Sequence, residues 1–216
     1  MNKPVETVTL QTLELGGIYK TIYDSRPYRV LAFDEIEVLC DCSNTSLSYW
    51  KFVNPRARYY YYRMPTALFL DNVTFLKSQP LSETESNMYM PQLPLRACRH
   101  PTWTWTSETY SFNDILNHPA LLDVKEAKTL VLPVPEIVIY PYGPKRGLRK
   151  PVTVQALDNK GFSWIELLWQ AHLVQAAHIH QPQSPGVGIY RLGSEKRKAS
   201  YYIEGYYDRA GFIPKE

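Results

Sequence analysis

Phe162-Ser163-Trp164-Ile165-Glu166-Leu167 is the clearest helix start in the chain, and its reading sets the fold class. Ser163 stands at an N-cap position with Glu166 three residues on, so each side chain can satisfy the other's orphan backbone donor. Phe162 and Leu167 are spaced as a hydrophobic staple around that cap. The cap is worth about 1 kcal/mol, judged by replacing such serines with alanine. The spacing predicts a helix from Trp164 to about Ala177, with Ile165, Leu168, Trp169, His172 and Ala176 sharing a face.

Strand signals lie on both sides of this helix. Leu130 to Pro135 and Ile137 to Tyr140 read as strands, and Pro133 and Pro135 place at least one at a sheet edge. Tyr142 to Gly147 is a basic loop. Pro151 to Leu157 returns as a strand with Val152, Val154 and Ala156 on one face, closed by the turn Asp158-Asn159-Lys160-Gly161. Beyond the helix, Gly188 to Leu192 and Ser200 to Tyr207 read as strands around the basic loop 193–199. Hairpin, helix and two strands make an α+β unit over 129–216, one helix across an antiparallel or mixed sheet, in which a β-grasp-like arrangement fits.

The first 80 residues read as short strands with tight turns. Strands are predicted at Ile18–Tyr23, Tyr28–Phe33, Ile36–Cys42, Tyr49–Val53 and Arg58–Arg63, then a helical turn from Pro65 to Leu70 and a last strand at Val73–Leu76. Over 15–78 this layout resembles SH3- or Tudor-like barrels: a Gly-x-Tyr strand, a meander, a Trp-bearing strand, then a helical turn. The resemblance implies a small, strongly bent antiparallel barrel for 1–80. Residues 81–128 read as a proline-rich connector, with a capping box at Ser82-x-x-Glu85 and a possible cap at Ser111 or Asn113. A strand is predicted over Thr102-Trp103-Thr104-Trp105-Thr106 and a short helix over 119–128. The whole is therefore α+β and β-rich.

The composition agrees with a chain of short elements. Its 216 residues are 44% hydrophobic and 21% charged, which excludes wholesale disorder. They include 17 Tyr and 17 Pro against 7 Phe and 10 Gly. Proline interrupts helices and central strands, and tyrosine suits half-wet surfaces. The net charge of +3 is too small to compel a nucleic-acid role. Three cysteines make no disulfide framework, and Cys40 and Cys42 stand too close in a strand to pair comfortably. No signal peptide or membrane-spanning stretch is visible from Met1 onward, so a reducing, cytoplasmic location is expected and no membrane partner.

Familiar catalytic and nucleotide-binding patterns do not occur in the sequence. Cys40, Cys42, Cys98 and His100 are the best metal ligands it offers, but a one-residue spacer suits buried small residues better than a zinc knuckle. His178 and His180 fit a helix C-terminus, where they complement the macrodipole. No cofactor and no small-molecule substrate is expected. The most suggestive surface is Arg56-Ala57-Arg58-Tyr59-Tyr60-Tyr61-Tyr62-Arg63, where alternation sends Tyr60 and Tyr62 to one face beside Arg56, Arg58 and Arg63. With Trp103 and Trp105 it is read as a partner-binding platform. The basic runs Lys145, Arg146, Arg149, Lys150 and Lys196, Arg197, Lys198 offer an alternative nucleic-acid surface. The leading expectation is a non-catalytic structural or protein-interaction protein. It would dock through tyrosine-rich strands onto another protein or onto itself in a larger assembly, such as a virion or other multi-protein shell. A nucleic-acid-binding accessory protein and an enzyme of unfamiliar type with a Cys/His site are the alternatives.

Overall fold

The computed structural model describes residues 8–22, 27–41, 61–122, 124–142, 149–179, 186–195 and 198–205. The chain forms two compact units, Met1–Leu95 and Arg96–Glu216. Both are built on a sheet, and the β-rich α+β class follows.

In the first unit, β1 (Ile18–Thr21), β2 (Pro27–Phe33), β3 (Glu37–Asp41), β4 (Tyr61–Pro65) and β5 (Val73–Lys77) form a five-stranded sheet in the order β4-β3-β2-β1-β5. Every pairing is antiparallel. Asp34 makes the β2–β3 turn, its carboxylate accepting from the amides of Ile36 and Glu37 at 2.7 and 2.8 Å. Helix α1 (Thr66–Asp71) starts directly after Pro65 and carries the chain from one edge of the sheet to the other. The two edge strands, β4 and β5, do not pair, so the described residues form no closed barrel. The expected strand at Tyr49–Val53 lies outside the described residues.

Both faces of this sheet are covered. On one, Tyr19, Tyr28, Val30, Val38, Cys40 and Val73 pack with Phe69 of α1. On the other, Leu31, Ala32, Leu39 and Leu95 are buried with Leu81 and Tyr89 against them. A bulge between Val30 and Ala32 accompanies this two-sided burial of β2. Helix α2 (Glu83–Tyr89) begins with the expected capping box, Ser82 and Glu85 each bonding the other's backbone amide.

An ion pair between a buried arginine and a half-buried glutamate ties that helix to the sheet. Arg29 of β2 reaches Glu85 at 2.6 and 3.1 Å and donates as well to the carbonyls of Gln79 and Pro80 at 3.0 and 3.2 Å. Gly16 sits at φ +78°, and a Cβ there would lie 2.3 Å from the Gln79 carbonyl oxygen, so the approach of 79–81 to the β1 turn requires glycine.

In the second unit, β6 (Arg96–His100), β8 (Glu136–Tyr140), β9 (Val152–Gln155), β11 (Val187–Glu195) and β12 (Lys198–Gly205) form a sheet in the order β6-β11-β12-β8-β9. The β12–β8 pair is parallel and the others are antiparallel. A small antiparallel pair joins β7 (Leu130–Leu132) to β10 (Phe162–Ser163). Helix α4 (Trp164–Ala176) follows β10 at once, within a residue of its expected span. Helix α3 (Phe112–Leu116) is shorter, and Ser111 caps it with a full box to Asp114.

The α4 start differs from expectation in one half of its box. Ser163 accepts from the Glu166 amide at 3.3 Å, but the Glu166 carboxylate accepts instead from the Leu157 amide. The next amides, of Trp164 and Ile165, donate to the carbonyls of Thr129 and Ala127 at 2.9 Å. The amides of Leu121, Val124, Ala127 and Thr129 each donate to a carbonyl three residues back, so tight turns replace the i→i−4 ladder and the helix expected over 119–128 shortens to a 3-10 turn at Pro119–Leu121. Residues 102–106 form no strand, although Trp103 and Trp105 are both buried. Helix α4 buries more than one face: Glu166, Leu167, Ala171 and Gln175 are as covered as Ile165 and His172, while Trp169 is half-buried. Val152 is exposed, in contrast to Val154 and Ala156, because β9 is the sheet's edge. Of the segment expected to connect, 81–128, the first part holds α2 of the first unit, and 96–128 holds β6 and α3 of the second.

The Arg29–Glu85 pair yields a direct test. The Arg29 guanidinium and the Ser82 hydrogen bonds hold the Glu85 carboxyl at about 2, below its ordinary 4.5. A carboxylate lowered on folding stabilises the fold above its unfolded value and loses that contribution as pH falls toward the folded one. Glu85→Gln is expected to destabilise the first unit by about 1–3 kcal/mol at pH 7, read by native-state hydrogen exchange at β2 amides. The difference from wild type should close as pH falls from 4.5 toward 2. Replacing Arg29 and Glu85 together by methionine should cost less than removing Glu85 alone.

Candidate functional site

Among the described residues, the tyrosine-rich strand is an edge strand. In β4, Tyr61 and Tyr62 stand opposite Asp41 and Cys40 of β3. Arg56, Arg58, Tyr59 and Tyr60 lie outside the described residues. Arg63 is not a surface cation, as the platform reading required: its guanidinium meets both carboxylate oxygens of Glu37 at 2.6 Å, and the two side chains are only 10% and 11% exposed. The antiparallel register places Arg63 opposite Leu39, two residues from Glu37, within reach of this diagonal pair.

Trp103 and Trp105 are buried at 2% and 0% exposure and offer no surface to a partner in this arrangement. They enclose His172 of α4. The Trp103 ring lies 5.5 Å from the His172 ring, edge to face, and the Trp105 ring 5.9 Å away. Tyr110 adds a third ring at 4.9 Å, and His118 packs on Trp103 at 4.7 Å. The His172 Nε2–H donates to the Glu108 carbonyl at 2.8 Å, and Trp169 donates to the Tyr110 carbonyl at 2.9 Å. Burial lowers the His172 pKa from its ordinary 6.5, so the ring is neutral. The sequence shows these residues separately. Their assembly depends on contacts between positions some sixty residues apart, such as 108 and 172.

The edge strand β5 was not anticipated as a surface. Phe75 is 42% exposed, Leu76 50%, and Ile22, whose amide donates to the Asn72 carbonyl beside it, 69%. One side of Phe75 still packs on Tyr19, with ring centroids 5.4 Å apart. The tyrosines of β12 divide differently: Tyr201 is fully buried, with the Arg191 guanidinium 5.4 Å from its ring, and Tyr202 is half-buried beside Tyr190.

The basic runs are only partly within the described residues. Lys145, Arg146, Lys196 and Arg197 lie outside them, whereas Arg149 and Lys150 are exposed. Lys198 pairs with Glu136 at 2.8 Å and holds that carboxyl below its ordinary range.

The candidate metal set does not assemble among the described residues, where no group of three or more His, Cys, Asp or Glu could hold an ion. Cys42 lies outside them. Cys40 is buried in the first unit and Cys98 in the second, and neither is in a disulfide. Burial pushes the Cys98 thiol pKa up, away from the thiolate that nucleophilic attack or metal binding needs. His100 is occupied too: its Nδ1 accepts from the Trp103 amide at 3.0 Å.

No protein-family model matches the chain, and neither a curated protein nor a solved structure matches it.

Buried thiols react slowly. A thiol-specific reagent is expected to label Cys98 in the native protein at least about tenfold more slowly than in urea, read by mass spectrometry of the labelled peptides. Comparable native and unfolded rates would contradict the burial described.

Proposed function

We propose that the protein is a non-catalytic interaction protein that joins a larger assembly through the open edges of its N-terminal sheet. The observation that carries this reading is β5, an edge strand among the described residues that presents Phe75 and Leu76, with exposed Ile22 opposite Asn72 at its start. An exposed, apolar strand edge is a template for pairing, and natural proteins usually blunt it with charge, proline or a covering element. Here the apolar side chains supply contact area and the edge's backbone groups supply hydrogen bonds, so the partner is an extended segment of another protein or of a second copy. The second edge, β4, carries Tyr61 and Tyr62 and is the other docking strand in this reading.

Two finer fold readings accompany the proposal. The order β4-β3-β2-β1-β5, with a helical turn between the last two strands, supports an SH3- or Tudor-like first unit. In the second, the β8–β9 hairpin, α4 and the β11–β12 hairpin, with β8 parallel to β12, support a β-grasp-like core to which β6 is added. The nucleic-acid reading retains Arg149 and Lys150, but the ion pair of Lys198 weakens it.

Light scattering across a concentration series and of the co-purified material tests the proposal. Association is expected, and Leu76→Lys together with Ile22→Lys should weaken it at least about tenfold without changing the far-UV spectrum. A strict monomer that co-purifies with nothing, or association indifferent to both substitutions, would overturn it.

A further inference from the structure

We infer that the second unit contains an acid-released latch, in which His172 holds residues 101–110 against α4 and protonation of its ring frees that segment and exposes Trp103 and Trp105.

The geometry comes from three features. First, residues 101–110 have no strand or helix of their own, so tertiary bonds hold them. They run from His172 to the Glu108 carbonyl, from Trp169 to the Tyr110 carbonyl, from the Trp103 amide and the Thr102 hydroxyl to His100, and from the Gly186 amide to the Trp103 carbonyl. Second, the interface contains polar atoms that docking strips of water and does not compensate. Trp103 Nε1, Trp105 Nε1 and His172 Nδ1 are buried without a hydrogen-bond partner among the described residues. Each opposes docking and offsets part of what burial of the two tryptophan rings contributes. Third, the tautomer of the neutral His172 ring is fixed by its bond to Glu108. A carbonyl only accepts, so Nε2 carries the hydrogen and Nδ1 is bare in the neutral ring.

A proton added at Nδ1 creates a full charge at a residue with no exposed surface. The groups facing it offset that charge only in part: burial outweighs the hydrogen bond to the Glu108 carbonyl and the attraction of the Glu108 carboxylate. From the 101–110 segment, the Glu108 carboxylate is exposed and accepts from the Tyr110 hydroxyl at 2.9 Å. From the 3-10 turn, His118 is a neighbour that lowers the His172 pKa further. From α3, Asp114 is exposed and bonded to the Ser111 amide. From β6, Cys98 stays a neutral thiol and His100 is bonded to Trp103. From α4 itself, Glu166 is bonded to the Leu157 amide. Burial lowers the ring's pKa below 6.5. A histidine lowered on folding stabilises the docked state above its undocked value and loses that contribution as pH falls through the interval down to the docked value. Release therefore begins below pH 6.5.

The experiment is an acid titration of the full chain, following tryptophan emission, far-UV ellipticity and the His172 ring proton by NMR together. The expected result is a red shift in emission below pH 6.5 that coincides with titration of the His172 ring and precedes any loss of far-UV signal. His172→Gln keeps a donor for the Glu108 carbonyl and cannot charge, so in that variant the emission step should move down by at least about one pH unit. An unchanged step in His172→Gln, or a His172 ring in the wild type that titrates only as the far-UV signal collapses, would overturn the latch. The wild-type ring titration decides the matter even where the variant does not fold.

Discussion

A buried backbone group must be hydrogen-bonded, and in a chain of short elements side chains must often supply the partner. With 17 prolines and strands of two to nine residues, many buried carbonyls and amides lie outside any ladder. Arg29 accepts this role for the carbonyls of Gln79 and Pro80. Gln175, fully buried on α4, both donates to and accepts from the backbone of Tyr142 at 3.0 Å, as a neighbouring strand would. Glu166 takes the Leu157 amide, and Trp169 and His172 take the carbonyls of Tyr110 and Glu108. Four side chains of one helix thus position three connecting segments. This is why α4 buries polar residues on several faces instead of one apolar stripe.

The same constraint separates what was legible in the sequence from what was not. The start of α4, the box at Ser82 and Glu85, the Asp34 turn and the helix after Pro65 were legible because each is decided by residues a few positions apart. The first strands were legible because turn residues bound their alternating runs. Residues 102–106 were not, because the alternation of tryptophan and threonine looks the same whether the backbone finds a strand partner or the rings close on a distant histidine. In place of the helix over 119–128, successive amides close turns onto carbonyls three residues back, and the segment's end is tied to the start of α4 through the carbonyls of Ala127 and Thr129, a partner distant in sequence.

The candidate site was less legible than the fold. Arg63 resembles a surface cation until the β3–β4 register places Glu37 within reach. The excess of tyrosine pointed to half-wet strand surfaces, yet Tyr19 and Tyr201 are fully buried, and the most exposed apolar strand, β5, contains no tyrosine. Edge position comes from the order of pairing, which no local pattern in Val73–Lys77 encodes. The proposed docking surface and the proposed latch both follow from such pairings. One depends on a strand with no second neighbour among the described residues, the other on a segment held by side chains in place of a ladder.

Amide hydrogen exchange at Tyr142 and Leu157 tests most directly whether side chains of α4 hold the connectors. Both residues lie beyond the ends of their strands, and their amides donate to Gln175 and Glu166. The account predicts protection close to that of the neighbouring β8 amides, and its selective loss at Tyr142 in Gln175→Leu. Exchange at the rate of an unstructured chain in the wild type, or protection of Tyr142 that survives Gln175→Leu, would contradict it.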